Sequence, residues 1–429
     1  MRYAIDVLYL LGIAAYSPVI LYRRLVHGRY KGGWAQRLGT IRRRRPEQPC
    51  IWIHAVSLGE VNATRTLVAE LRRRFAQIPI AISATTDTGL ARAEALYAAE
   101  HDVFYFPFDL SCVMKKGLCH INPAAICLME LEVWPNLARF AADKGIPVVV
   151  INGRISDGSF PKYRKVRRFI APMFGRVRLV LAQTPQYAQR FVALGCVPER
   201  VQVSGSLKYD TAQTDAAVPG ASGLAERIGL GRDRLWVLGG TGPGEEAIGV
   251  DIFKRLTEEA AFADVRLAIV PRKPERFDEA AAVIEKAGLD YVRYSTLKTG
   301  DRCAQGRPTV ILGDTMGDLR MFYALASVVF VGRSLVPMGG SDMMESAALG
   351  KCTLFGPHTF NFRQTVEALL AGGGAIEVKD ADTLLEAVRQ CLSDEAYARR
   401  IAEAGRAVIR RNQGATQKTV EALVAILNS

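Results

Sequence analysis

The sequence predicts an α/β protein with two doubly wound parallel sheets. From residue 48 onward, short apolar runs rich in β-branched residues alternate with segments of helical period. This alternation is typical of parallel strands joined by crossover helices. The chain has 429 residues, which is long for one open α/β domain, so we expect two. The alternation lapses over 211–232, a segment rich in Ala, Gly, Asp and Thr that we interpret as the interdomain linker.

The individual elements follow from these runs. In the first half we predict strands at 50–56, 78–84, 102–106, 124–129, 146–151 and 177–182, and helices at 60–75, 87–98, 132–144, 162–173 and 184–194. In the second half we predict strands at 235–239, 265–270, 309–312, 327–331, 352–355 and 375–378, and helices at 244–261, 274–287, 342–349 and 361–370. The tail from about 380 is predicted to be mostly helical.

The predicted organisation has four parts. A helix over 1–25 precedes a Rossmann-like domain over 26–211, a second such domain over 212–410 and a C-terminal helix over 411–429. Two Rossmann-like domains with a cleft between them match the GT-B architecture of glycosyltransferases. A fold alone does not define a function, which has to be argued from the site.

The N-terminal segment predicts membrane contact. Residues 3–21 are almost wholly apolar, and a basic stretch over 23–31 follows them. The run barely reaches the ~20 residues needed to span a bilayer, so the helix either spans the membrane or lies in its interface. In both cases the basic flank belongs on the cytoplasmic side, against anionic headgroups. The alternative is a buried helix of the first domain.

Charge and composition narrow the class of partner. The net charge of +13 predicts an anionic partner, which is a nucleic acid, an acidic lipid or a phosphorylated substrate. No nucleic-acid-binding motif supports the first of these. The basic segment over 162–168 either contacts phosphates or is a solvated helix face. The cysteines and histidines are scattered, which predicts neither a disulfide framework nor a zinc site.

Three motifs of the first half carry candidate chemistry. The run from Trp52 to Glu60 predicts a strand, a glycine-cornered turn and a helix N-terminus, which places Glu60 where an acid or base meets a ligand. Alternatively, Glu60 only complements the helix dipole. Glu130 and Glu132 close a later strand, either as a ligand-facing pair or as an acidic first helical turn. Lys208, at the domain junction, either neutralises a leaving phosphate or is a solvated lysine.

Glycine-marked turns in the second half predict a nucleotide site. They cover 239–246, 271–277, 314–318 and 339–345, and each follows a predicted strand. Such turns let backbone N–H groups approach a phosphate, and the carboxyl ends of parallel strands form a ligand crevice. Glu345 either accepts hydrogen bonds from ribose hydroxyls or complements a helix dipole.

These ordered motifs resemble one family, the 3-deoxy-D-manno-octulosonic acid (Kdo) transferases of lipopolysaccharide synthesis. The resemblance covers nearly the whole chain. It rests on the patch 33–39 and on the motifs at 54–60, 130–136, 152–156, 205–210, 271–272, 313–317 and 356–362.

The resemblance implies an inverting glycosyltransferase that moves Kdo from CMP-Kdo to a hydroxyl of the lipid A precursor, with neither metal nor cofactor. The first domain would be the acceptor domain and the second the donor domain. The enzyme would be anchored by its N-terminus at the cytoplasmic face of the bacterial inner membrane, on anionic lipids. Glu60 would be the general base, with Glu130 and Lys208 assisting. The implied CMP contacts are Pro271, Arg272, Met316, Gly317, Asp318, Asp342, Met343, Met344 and Glu345.

The chain departs from the usual family pattern only in the donor half. The departures are Gly242, Lys273, Arg333, Ser341 and Asp342. A carboxylate at 342 beside a phosphate weakens donor binding unless a cation such as Arg333 pairs with it. Two alternatives therefore stay open. One is a GT-B enzyme with a different nucleotide-sugar donor, such as a uridine donor, and the other is a membrane-surface binding protein that has lost turnover.

Overall fold

The chain divides into two compact units in the computed structural model, which describes residues 4–26, 32–215, 217–299 and 309–428. The first unit comprises Met1–Thr211 and Gln413–Ser429, and the second comprises Ala212–Asn412. The C-terminal segment thus returns to the unit in which the chain began.

The first unit is built on a sheet of seven strands in the order β3-β2-β1-β4-β5-β6-β7, and the paired strands are parallel. The strands are β1 (Cys50–His54), β2 (Ile80–Ala84), β3 (Asp102–Tyr105), β4 (Pro123–Met129), β5 (Val148–Gly153), β6 (Leu179–Ala182) and β7 (Val201–Val203). The winding direction reverses between β1 and β4. In open α/β sheets, ligands bind at the carboxyl ends of the strands beside such a reversal.

Helices cover both faces of this sheet. Ile51 and Ile53 of β1 pack in one core and Trp52 in the other, because successive side chains of a strand point to opposite faces. The helices are α1 (Ala4–Val26), α2 (Trp34–Arg37), α3 (Leu58–Ala63), α4 (Arg65–Arg74), α5 (Asp87–Tyr97), α6 (Ser111–Ile121), α7 (Pro135–Asp143), α8 (Phe160–Lys165), α9 (Arg167–Phe174), α10 (Pro185–Leu194) and α11 (Leu207–Asp210).

The second unit repeats this plan with the strand order β10-β11-β9-β8-β12-β13-β14. Its paired strands are also parallel, and the reversal lies between β8 and β12. The strands are β8 (Arg234–Thr241), β9 (Val265–Pro271), β10 (Tyr291–Arg293), β11 (Val310–Leu312), β12 (Val328–Val331), β13 (Cys352–Phe355) and β14 (Ile376–Glu377).

The helices of the second unit also lie on both sides of its sheet, and one further helix ends the chain. They are α12 (Ala221–Arg227), α13 (Glu245–Thr257), α14 (Phe277–Lys286), α15 (Tyr294–Thr299), α16 (Leu319–Leu325), α17 (Met344–Ala348), α18 (Arg363–Ala371), α19 (Ala381–Ser393) and α20 (Glu395–Asn412). The last helix, α21 (Ala415–Leu427), packs Val420 and Leu423 in the core that contains Ile51 and Ile53 of the first unit.

The structure corrects some predicted elements. The three-residue strands β7 and β10 are absent from the prediction because they are too short to show a pattern. The segment predicted as a linker contains α12. The helix predicted over 60–75 is two helices that meet at Thr64, whose hydroxyl donates to the Val61 carbonyl oxygen (2.8 Å). Such bonds from Thr to the preceding turn bend helices.

Helix α1 is attached to the first unit by polar contacts. Asp6 accepts hydrogen bonds from the Ser111 N–H and the Asn136 amide, both at 3.0 Å, and the Tyr9 hydroxyl donates to Asp109 (3.0 Å). Among the described residues, no helix has both the length and the apolar character that a membrane crossing requires. The apolar residues that α1 exposes include Val7, Leu8, Leu10 and Leu11.

Candidate active site

The turn after β1 holds Glu60 in a defined position. Ser57 is the N-cap of α3, and its hydroxyl oxygen accepts the Glu60 N–H at 3.4 Å. One oxygen of the Glu60 carboxylate accepts the Ser57 hydroxyl (3.0 Å), and the other accepts the Val56 N–H (2.9 Å). A serine followed three residues later by a glutamate is a local signal for a helix start, so this turn forms from its own sequence. The carboxylate therefore lies at the carboxyl end of β1, beside the reversal of the sheet.

Two of the predicted catalytic residues, Glu130 and Lys208, lie within electrostatic range of the third, Glu60. Burial raises the pKa of Glu60, and the neighbouring Glu130 carboxylate raises it further. The Val56 N–H, the Ser57 hydroxyl and Lys208 act in the opposite direction. The first unit therefore brings Glu60, Glu130 and Lys208 together. A carboxylate with a raised pKa is a stronger base, which suits proton removal from a hydroxyl.

Two residues with left-handed backbones position the partners of Glu60. Glu130 follows β4 with φ 54°, and Asn152 in β5 has φ 52°. The Asn152 side-chain oxygen accepts the Leu207 N–H (3.1 Å), so the end of β5 holds the start of α11 and with it Lys208. Non-glycine residues rarely adopt this conformation, and it is retained where the surroundings enforce it, often at functional sites.

Glu132 is a third carboxylate of this cluster. The Trp134 ring N–H donates to one of its oxygens at 3.1 Å. The pKa of Glu132 is raised to about 7, mainly by burial and further by the neighbouring Glu60 and Glu130 carboxylates. The sequence left open whether Glu130 and Glu132 lie together at a ligand. The structure places Glu132 electrostatically close to both Glu60 and Glu130.

His54, which precedes this turn in the same motif, belongs to the core. It is fully buried, stacks on Phe106 with ring centroids 4.0 Å apart, and contacts the Ser83 hydroxyl through Nδ1 (3.0 Å). Burial lowers the pKa of His54 to about 3. The histidine is therefore neutral and packs the strand that carries the Glu60 turn.

In the second unit, the loops after β8 and β12 are joined side by side. The Gly332 N–H donates to the Gly239 carbonyl (2.8 Å), and the Ser341 hydroxyl donates to the Gly240 carbonyl (2.8 Å). A Cβ at Gly332 would lie 2.6 Å from the Thr241 Cα, so only glycine permits this approach. The two loops lie at the reversal of the sheet, where a nucleotide site is expected.

A buried carboxylate that sequence reasoning missed holds these loops in place. Glu245, 1% exposed at the start of α13, accepts the N–H groups of Gly242 (2.8 Å), Ser334 (2.9 Å) and Leu335 (3.0 Å), and also that of Arg333. The sequence does show a glutamate in the first helical turn after a glycine-rich loop, but such a residue is more simply interpreted as complementing the helix dipole.

The predicted donor residues lie around these loops. Pro271 ends β9, and the N–H of the exposed Arg272 donates to the Thr241 carbonyl (3.3 Å). Met316 and Gly317 are exposed after β11. Asp318, which follows them, accepts hydrogen bonds from the Thr315 hydroxyl (2.6 Å) and the Lys298 ammonium (2.7 Å).

The residues predicted at 342–345 differ in exposure. Asp342 accepts the Met344 N–H (2.9 Å), and both Asp342 and Glu345 are partly exposed. The side chains of Met343 and Met344 are buried, so they pack the core. Tyr323, which the sequence did not single out, is fully buried, and its hydroxyl has no hydrogen-bond partner among the described residues.

The surroundings of Tyr323 show which of the predicted donor residues lie close together. Its pKa is raised by burial first, then by Glu345 and Asp342, and Arg272 opposes them. The tyrosine therefore lies close to three predicted donor residues that come from two different loops. A Cβ at Gly239 would lie 2.3 Å from its hydroxyl, so the ring packs directly against the end of β8.

Arg333 does not form the predicted pair with Asp342. Its guanidinium donates to the Met338 carbonyl oxygen at 3.4 Å, whereas Asp342 accepts the Met344 N–H. Arg333 has a left-handed backbone (φ 60°), and its side chain lies over Gly242. This local conformation is the reason why the predicted pair does not form.

The two parallel sheets, with an acid–base cluster on one and glycine-marked loops on the other, define an α/β protein built of two Rossmann-like units. Solved structures share this fold. The Anabaena protein HepE in complex with UDP has a TM-score of 0.57 and 14% identity, and the match covers 88% of this chain and 100% of that one. A glycosyltransferase from Rickettsia africae has a TM-score of 0.55 and 14% identity, covering 89% and 99%. At such identities the likeness concerns the fold alone.

The family is shown by sequence relatives. The family model of 3-deoxy-D-manno-octulosonic-acid transferase matches residues 32–211. The 3-deoxy-D-manno-octulosonic acid transferase of Bordetella pertussis is 34% identical over 383 residues, covering 87% of this chain and 86% of that protein. The Haemophilus influenzae enzyme is 32% identical, covering 88% and 87%. The chain belongs to the Kdo transferase family, which confirms the resemblance, and it is an enzyme that transfers Kdo in lipopolysaccharide synthesis.

Proposed function

We propose that the protein transfers Kdo from CMP-Kdo to a hydroxyl of the lipid A precursor, with inversion at the anomeric carbon and without a metal ion. One observation supports this most: the Glu60 carboxylate is held by Val56 and Ser57, close to Glu130 and Lys208. A fixed carboxylate with a raised pKa is what general-base removal of a hydroxyl proton requires.

Each unit has its own part in this reaction. In the first, Glu60 takes the proton of the acceptor hydroxyl as its oxygen bonds to the anomeric carbon. The electron pair of the breaking bond leaves with the CMP phosphate. Lys208 lowers the pKa of Glu60, which keeps the base ionised before the transfer, and Glu130 opposes it. In the second unit, backbone N–H groups and cations bind the donor phosphate.

The test is an assay of product mass. We expect incubation with CMP-Kdo and lipid A precursor to increase the acceptor mass by one or more Kdo residues, and incubation with UDP-sugars to leave it unchanged. A product formed only from a UDP-sugar would establish the alternative donor. Donor binding without any product would favour the binding protein that has lost turnover.

We also propose that the protein works on anionic lipid at the cytoplasmic face of the inner membrane, with α1 lying in the interface. The exposed apolar residues of α1 support this, and so does a basic surface formed by α8 and α9. There Phe169 is 86% exposed, and no acidic residue occurs between Asp157 and Glu199. Exposed aromatic and basic residues together suit anionic headgroups. Tyr163 of α8 has a pKa raised by burial and then by Glu132, so this surface adjoins the carboxylate cluster.

Vesicle flotation tests the membrane proposal. We expect the protein to float with anionic vesicles and not with zwitterionic ones. The variant with Arg167→Gln and Arg168→Gln should float less. The matched control combines Arg410→Gln with Arg411→Gln, an exposed pair at the end of α20. Equal flotation of the two double variants would contradict the assignment of this surface.

A further inference from the structure

Arg333 occupies an unusual position in the second unit. It follows β12, at the reversal of the sheet, and its N–H is one of the groups bound by Glu245. Its φ of 60° lies in the region that favours glycine. Backbone strain of this kind persists where the surroundings enforce it, and it clusters at ligand sites. A long charged side chain at such a position therefore needs an explanation.

Space for that side chain comes from Gly242. A Cβ at position 242 would lie 3.1 Å from the Arg333 Cγ and 2.9 Å from the Met338 sulfur. Contacts this short force a neighbour to move. The missing side chain at 242 and the long one at 333 are thus complementary, and Arg333 lies over the loop that follows β8.

The Arg333 guanidinium has unused hydrogen-bonding capacity. A guanidinium has five N–H donors, and the one hydrogen bond that this guanidinium forms with the described residues is the long contact to the Met338 carbonyl (3.4 Å). Within the described residues, its buried Nε has no partner and no carboxylate forms an ion pair with the guanidinium. The nearby Glu245 carboxylate is occupied by backbone N–H groups on both oxygens. A partly buried cation without a counter-ion is costly, which points to an anion that arrives with a ligand.

We propose that Arg333 binds the phosphate of the nucleotide-sugar donor and that Gly242 makes room for it. This deepens the proposed function and rests on it. Guanidinium and phosphate match in geometry and charge, and such pairs are frequently bidentate. The expected ligand group is the nucleoside phosphate. The affinity for a nucleoside without phosphate should not depend on Arg333.

Calorimetry on the full chain with CMP and cytidine tests the assignment. The informative variant is Arg333→Met, which keeps an aliphatic stem over Gly242 and removes the charge. We expect CMP affinity to fall about 10- to 100-fold, as for the loss of a charged hydrogen bond, while cytidine affinity stays unchanged. Arg333→Lys should retain part of the CMP affinity. The control is Arg363→Met, an exposed arginine of α18 that pairs with Glu367.

The possible outcomes separate the assignment from the proposed function. If Arg333→Met bound CMP as tightly as the wild-type protein, the assignment of Arg333 would be overturned. An equal loss of affinity for CMP and cytidine would also overturn it. If the wild-type protein bound UDP and not CMP, the cytidine donor would be refuted, and the same comparison with UDP and uridine would decide the role of Arg333. Binding of neither nucleotide would refute both.

The packing argument has its own measurement in chemical denaturation. Gly242→Ala should lower the denaturation midpoint of the wild-type protein and lower it less in an Arg333→Gly background. An equal effect in both backgrounds would show that Arg333 does not occupy the space at Gly242, which would overturn the complementary fit.

Discussion

Ser57 and Glu60 hold each other in place. The serine hydroxyl donates to the glutamate carboxylate at 3.0 Å, and its oxygen accepts the glutamate N–H at 3.4 Å. The two interpretations of Glu60, helix-start residue and general base, are therefore compatible, because the capping contact is what orients the carboxylate.

Glu60→Gln should abolish Kdo transfer and leave CMP affinity within a few-fold of wild type. The amide keeps one oxygen, which can still accept the Val56 N–H, but it cannot take a proton, and loss of a general base typically costs ~10²–10⁴ in rate. Product formation and CMP titration are the measurements, with Glu94→Gln, an exposed glutamate of α5, as the control. Near wild-type turnover in Glu60→Gln would show that another group is the base.

The pH profile of kcat/KM should reveal the environment of Glu60. A base acts in its ionised form, so activity rises as the pH rises through the pKa, and the raised pKa puts this acid limb above the ordinary glutamate value of 4.5. Lys208 lowers the pKa of Glu60, so Lys208→Met should move the limb to higher pH. The exposed Lys144→Met serves as the control. A limb that stayed in place, or moved to lower pH, would exclude this coupling.

Glu132→Gln should remove an inflection near neutral pH from the pH profile of the KM for acceptor. The pKa of Glu132 is raised to about 7, so its ionisation near neutral pH adds a negative charge to a cluster that, in the proposed function, faces anionic substrates. We therefore expect the KM for acceptor to rise above that pH in the wild type and to stay flat in the variant. Glutamine retains an oxygen for the Trp134 ring N–H, so the fold should be preserved. The same rise of KM in both proteins would assign the inflection to another group.

Glu245→Gln should destabilise the second unit and weaken CMP binding. An amide offers one oxygen where the carboxylate offers two, and its NH₂ group faces backbone donors. Because hydrogen bonds to charged groups contribute about 1.5–3 kcal/mol each, we expect a loss of roughly 3 kcal/mol in unfolding free energy. Chemical denaturation measures it, with Glu258→Gln, exposed after α13, as the control. Equal stability of the two variants would mean that Glu245 does not order these loops.

Local sequence patterns predicted the order of the elements and pointed to several candidate site residues. Alternating β-branched runs and helical segments reflect which faces are buried, so they revealed both parallel sheets. A capping serine before Glu60 and glycines after β8 mark turns whose chemistry is local. These features can be predicted without the tertiary structure because neighbouring residues in the sequence enforce them.

Contacts between distant segments decided the rest. The role of Glu245 depends on a loop that lies far along the chain, and the neighbourhood of Tyr323 depends on Arg272, Asp342 and Glu345. The predicted pairing of Arg333 with Asp342 failed because the side chain is directed over Gly242, a position that only packing defines. Hydrogen bonds and electrostatic shifts depend on separation in space, so spacing along the sequence does not reveal them.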